Sequence, residues 1–113
     1  MSTNIDFREI ALSFAETAEV PHFEKRAFRS KRKIFATLLE ADSIGVALLT
    51  AAEQYVFCRL DEKNIYPVPN KWGLKGATCL NIKNISKKIL REILGMAYHI
   101  SLQPPPFASR KNS

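Results

Sequence analysis

Two short stretches of this chain are dense in groups that bind anions. Between Pro21 and Lys33 stand Lys25, Arg26, Arg29, Lys31, Arg32 and Lys33, with Glu24 as the one acid. Between Asn70 and Gly76 stand Lys71, Trp72 and Lys75. Ammonium and guanidinium groups at this density neutralise phosphates or carboxylates, so the expected chemistry is binding of a polyanion, nucleic acid first. Phe28, Phe35 and Trp72 lie among these bases, and aromatic faces can stack nucleobases. The same rings serve as core or as loop anchors, and lysine-rich surfaces also keep proteins soluble. Both readings stand at this level.

The groups that would carry catalysis are not arranged for it. His22 and His99 are far apart in sequence, and neither has a cysteine or an acidic cluster beside it. Cys58 and Cys79 have no Cys-x-x-Cys spacing and are expected as reduced thiols packed like small apolar groups. Arg59 beside Cys58 would favour a thiolate, but no histidine partner accompanies it. Gly73-x-x-Gly76 is shorter than a nucleotide-binding loop and reads as turn geometry. Asp61-Glu62 and Glu40-Ala41-Asp42 sit in polar, turn-like stretches. The expectation is a non-enzymatic protein with no cofactor and no metal.

The elements that must position the bases follow from pattern. The chain has 113 residues, 46% hydrophobic and 25% charged, which suits one globular domain. Thr3 and Asp6 form a capping box for a first helix, and Phe7, Ile10, Ala11, Phe14 and Ala15 follow at helical spacing. Pro21 is read as the end of the connection after that helix. Ala27–Ser30 and Lys33–Leu39 read as a hairpin, and Ile44–Leu49 as a buried third strand. Thr50 and Glu53 cap a helix over residues 51–60. Tyr66-Pro67-Val68-Pro69 is held extended by its prolines, and Ala77–Ile82 reads as a further strand. Ser86 caps a last helix whose apolar stripe runs Ile85, Ile89, Ile93, Ala97, Ile100. Residues 1–103 form the domain, and 104–113, opened by three prolines, are expected as a flexible tail.

A two-residue turn at Lys31-Arg32 places Ser30 opposite Lys33, Phe28 opposite Phe35 and Arg26 opposite Thr37. Directly opposed side chains share a sheet face. Ile34, Ala36 and Leu38 would then form a core face, and Phe28 with Phe35 an aromatic pair flanked by Arg26 and Lys33. That pair either stacks bases or lies under a helix; the basic tip is exposed either way. Trp72 either stacks or pins its loop to the core. Asn70 is expected to bond the loop backbone.

Two stretches are specific enough to suggest a family. One is Val20-Pro21-His22-Phe23-Glu24-Lys25-Arg26-Ala27-Phe28-Arg29, running on through Lys33-Ile34-Phe35-Ala36-Thr37-Leu38. The other is Tyr66-Pro67-Val68-Pro69-Asn70-Lys71-Trp72-Gly73-Leu74-Lys75-Gly76-Ala77-Thr78. In this order and spacing the chain resembles the MmcQ/YjbR family over residues 3–102. The resemblance implies an α+β fold of the CyaY type, an antiparallel sheet packed by N-terminal, middle and C-terminal helices. It also implies DNA binding through two hairpin-like wings. This chain has Arg32 where the family often has a turn glycine, so a positive φ is expected there, and Ala77 where tryptophan is common.

Phosphate contacts of this kind give low sequence specificity. The rival expectation is a protein-interaction or chaperone-like module that uses its sheet face and basic surface to hold an acidic protein. The chain has no apolar run of the roughly 20 residues a membrane helix requires, and its N-terminal residues lack the pattern of a signal peptide. A cytoplasmic protein with no membrane partner is therefore expected.

Overall fold

The computed structural model describes residues 1–103; the expected tail at 104–113 lies outside them. In chain order the elements are α1 (Asn4–Ser13), β1 (Ala18–His22), β2 (Lys25–Arg29), β3 (Ile34–Leu39), β4 (Ile44–Leu48), α2 (Ala51–Leu60), β5 (Ile65–Pro67), α3 (Lys71–Leu74), β6 (Ala77–Asn81) and α4 (Lys87–Ser101). The strands form one antiparallel sheet in the order β1-β2-β3-β4-β6-β5. The fold is α+β, as expected, with four helices and six strands among the described residues.

Capping chemistry sets the helix starts. The Thr3 side chain accepts from the Asp6 N–H while the Asp6 carboxylate accepts from the Thr3 N–H. Thr50 Oγ1 accepts from Glu53 N–H and Ser86 Oγ from Ile89 N–H. Each bond satisfies a donor that the first helical turn leaves unpaired.

Pro21 does not end a connection. It lies within β1, which pairs with β2 from Ala18↔Arg29 to His22↔Lys25. Proline is tolerated there because β1 is an edge strand and Pro21 needs no ladder bond on its open side. The other edge, β5, is three residues long and carries Pro67. Two edges blunted in this way resist pairing with another sheet.

The expected hairpin register holds only at its tip. Arg29 pairs with Ile34, but a bulge follows, so Phe28 pairs with Ala36 rather than Phe35, and Arg26 with Leu38 rather than Thr37. The extra residue on β3 lets both Phe35 and Ala36 be fully buried. Phe28 packs 5.7 Å from the Phe7 ring of α1, while Phe35 packs on Phe14 and on Tyr98 of α4. Phe28 and Phe35 are therefore both core residues, and the stacking role considered for them fails. Burying each such ring contributes about 1.5–3 kcal/mol.

Helices α1, α2 and α4 share one face of the sheet. A Cβ at Gly45 of β4 would collide with the Phe7 ring, so α1 sits directly on that strand. The opposite face carries a ladder across all six strands: Val20, Ala27, Thr37, Val46, Cys79, Tyr66. Its members are half-buried except Ala27 and Cys79, which are buried. No helix among the described residues is long and apolar enough to cross a membrane.

Candidate nucleic-acid interface

The tip of the β2–β3 hairpin is organised by one hydroxyl. Ser30 is 1% exposed, and its Oγ accepts from the N–H groups of Arg32 and Lys33 at 3.2 and 3.3 Å. Its own N–H donates to the Lys33 carbonyl at 2.9 Å. These bonds close the loop without a left-handed residue. Arg32 has no positive φ, contrary to the expectation, because Ser30 supplies the turn chemistry that a glycine would otherwise provide. Lys31, Arg32 and Lys33 are exposed on this loop.

The second basic segment folds as α3, a single turn. Asn70 Oδ1 accepts from Trp72 N–H at 2.8 Å, as expected of an asparagine at a turn. Gly73 and Gly76 are required by close approach. A Cβ at Gly73 would overlap the Val68 carbonyl, and one at Gly76 (φ 113°) the Leu49 carbonyl. Gln54 of α2, buried, ties this turn to the sheet. Its Nε2 donates to the Gly73 and Ala77 carbonyls at 3.0 Å and approaches Thr78 Oγ1 at 3.2 Å. Trp72 is not pinned in the core: it is 59% exposed, with Lys75 Nζ 5.4 Å from its ring centroid.

The two segments meet. Lys33 and Ile34 from the hairpin, Trp72 and Lys75 from the α3 turn, and Leu48 with Ile100 from β4 and α4 line one groove of 220 Å³ at the end of the sheet. Its walls are mostly apolar, and Lys33 and Lys75 are the two cations among its lining residues. Among the described residues no carboxylate lies within 4 Å of Arg32, Lys33, Lys71 or Lys75.

Other members of the expected set stand apart. Lys25 and Arg26 begin β2 and Arg29 ends it, so Lys25 lies about 13 Å along the strand from Arg29. Arg26 Nε is 3.0 Å from Glu19, a mostly buried carboxylate that Arg8 also engages. Lys31 is 3.7 Å from Glu16 in an exposed pair, which restrains it little. Arg29 Nε donates to the Ser30 carbonyl at 3.2 Å. The residues of the expected set that share the groove are therefore Lys33, Trp72 and Lys75; Arg32 is next to Lys33 on the hairpin loop, where Arg29 Nη2 reaches the Arg32 carbonyl at 3.5 Å, and Lys71 is next to Trp72 on α3.

Two features escaped the sequence reading. Phe23 is 94% exposed at the β1–β2 tip, with φ 60°. It is the first of the two loop residues between His22 and Lys25, a position that hairpins ordinarily give to glycine. A non-glycine residue there costs about 1–2 kcal/mol, and nothing in the local sequence announces it. Gln54 was legible in principle, since it stands on the apolar stripe of Phe57 and Cys58 at i, i+3, i+4 spacing.

The cysteines are not activated. Burial pushes the Cys58 thiol up, and the charge of Glu62 adds to this. Arg59, its sequence neighbour, instead bonds Tyr55 Oη at 3.2 Å and lies over that ring. Burial also pushes the Cys79 thiol up, with Lys25 opposing it. Among the described residues no group of three or more histidine, cysteine or acidic residues is placed so that it could hold a metal ion.

No family model and no curated protein matches this chain. Among solved structures it is similar to the crystal structure of Deinococcus radiodurans protein DR2400, whose family-model domain is DUF419. That match has a TM-score of 0.76 and 18% identity, and covers 99% of this chain and 88% of that one. A likeness at this identity extends to the fold: the chain has the α+β architecture of a DUF419 domain.

Proposed function

We propose that this chain is a non-enzymatic binding module of the MmcQ/YjbR kind, and that it holds nucleic acid, DNA foremost, with low sequence specificity. The observation that carries the reading is the convergence of Lys33 with Trp72 and Lys75 on one groove, although they come from basic segments about forty residues apart in sequence. Arg32 and Lys71 are exposed sequence neighbours of Lys33 and Trp72 and add positive charge to the two segments. Phosphate contacts position a protein without reading bases, which is the source of the low specificity. Family membership rests on the two sequence stretches above, and the DUF419 fold likeness is compatible with it. The non-enzymatic part rests on the groups at the groove: ammoniums, an indole, aliphatic side chains and the Ser101 hydroxyl, which donates to the Tyr98 carbonyl at 2.6 Å.

Affinity measured against salt tests the proposal. Each duplex phosphate neutralised contributes about −0.9 to the slope of log affinity against log salt, and each single-strand phosphate about −0.7. Replacing Arg32, Lys33 and Lys75 together by alanine flattens the slope by about 2–3 units and leaves the fold intact, since all three are exposed. An unchanged slope removes this surface from the interface. Failure of the wild-type chain to bind any nucleic acid at low salt defeats the proposal.

A second reading has its own observation, the six-strand ladder on the sheet face away from α1, α2 and α4. Val20, Thr37, Val46 and Tyr66 are half-buried there, with Lys25 on β2 of the same face. That face suits an acidic protein partner. On this reading Val46→Glu abolishes partner binding, while Lys33→Ala and Lys75→Ala leave it unchanged.

A further inference from the structure

We infer that the groove is a stacking site for one unpaired nucleobase, with Lys33 and Lys75 on the phosphates that flank it. The preferred ligand is then a single strand rather than a closed duplex. This inference rests on the nucleic-acid reading above and adds the class of strand.

A closed duplex presents phosphates and sugars outward and keeps its base faces stacked inside. Such a ligand needs only the cations of a surface. Here the cations border a recess whose walls are Ile34, Leu48, Ile100 and the Trp72 indole. On a duplex those groups meet at most base edges and thymine methyls in a groove, whereas a splayed base presents a whole apolar face to them. The recess, 220 Å³, is smaller than the roughly 300–1,000 Å³ of pockets that enclose drug-sized molecules. It suits one planar ring system.

The charges agree. Lys33 and Lys75 are exposed and have no carboxylate within 4 Å among the described residues, whereas Arg26 is held at 3.0 Å by the mostly buried Glu19. The aromatic is also held ready. Asn70 caps the turn that carries Trp72, and Gln54 bonds the Gly73 carbonyl beside it. An exposed tryptophan on a tethered turn presents its ring at little ordering cost, which favours binding.

Trp72 is the one tryptophan of the chain, so its emission reports directly on the groove. The intact protein is titrated with a short oligothymidine, an abasic oligomer of equal length, and a duplex of equal phosphate count. The oligothymidine is expected to quench Trp72 and to bind about five-fold or more tighter than the abasic oligomer, which can alter the emission only through Lys75 and does not quench it by stacking. Trp72→Ala, followed by anisotropy of labelled strands, removes the preference for bases, and Trp72→Phe retains most of it. Lys33→Ala with Lys75→Ala weakens both single strands alike and flattens both salt slopes. Equal affinity for thymidine and abasic strands, or tighter duplex binding with unaltered emission, overturns the stacking site while nucleic-acid binding stands. Absence of binding to all three probes overturns both.

Discussion

Gln54→Leu isolates the polar tether that holds the α3 turn against the sheet. Leucine is similar in size and apolar, so the change removes hydrogen bonds with little change in volume. The wild-type amide donates to the Gly73 and Ala77 carbonyls and approaches the Thr78 hydroxyl. A net contribution of about 0.5–1.5 kcal/mol per bond gives about 1.5–4.5 kcal/mol for the three. The cost is not larger because each acceptor keeps another interaction. Gly73 O also receives Gly76 N–H, Ala77 O receives Val68 N–H, and the Thr78 hydroxyl donates to Gly76 O. With a mid-range urea slope of about 2 kcal/mol per molar, the unfolding midpoint falls by about 1–2 M. Urea unfolding followed by far-ultraviolet circular dichroism measures the loss, and Trp72 emission reports whether the turn loosens before the rest. Gln54→Glu is expected to be worse at neutral pH than at pH 4, because a carboxylate would then face carbonyl oxygens. A midpoint within experimental scatter of wild type for Gln54→Leu would refute the tether.

Phe35→Ala should lower stability by about 3–5 kcal/mol while the folded fraction binds ligand as before; a stable variant that has lost binding would return Phe35 to the interface. Trp72→Ala, at an exposed position, should cost under about 1.5 kcal/mol, and a loss like that of Phe35→Ala would make Trp72 a core anchor. In the native protein Cys58 and Cys79 should alkylate more slowly at pH 8 than a free thiol, since burial holds both below their ordinary thiolate fraction. Rapid modification of either would contradict that environment. The Asp6 carboxyl is held below its usual 3.8, chiefly by the Thr3 N–H. Its stabilising effect is complete above that pH and is lost as pH falls through the lower folded-state value. Asp6→Asn should accordingly flatten the acid limb of the stability profile, and an identical limb in wild type and variant would count against the capping box.

Local chemistry made much of this protein readable from its residues alone. Thr3, Thr50 and Ser86 open helices because a hydroxyl at the cap meets a free N–H one turn on, a relation confined to four residues. The apolar stripe of α4 and the prolines around Val68 are equally local, and so are the two basic segments. The strand Ala18–His22 was not readable, because proline argues against a strand until the strand is known to be an edge. The hairpin register was not readable either. The bulge at Phe35 carries no local signal, and it forms where it lets Phe35 and Ala36 both be buried beneath α1 and α4. Burial of Phe28 and Phe35, exposure of Trp72 and the tether from Gln54 depend on which elements lie against which. So does the groove itself: sequence marked Lys33 and Lys75 as bases, and packing of the hairpin, the α3 turn and the end of α4 brought both to the lining of one mostly apolar recess.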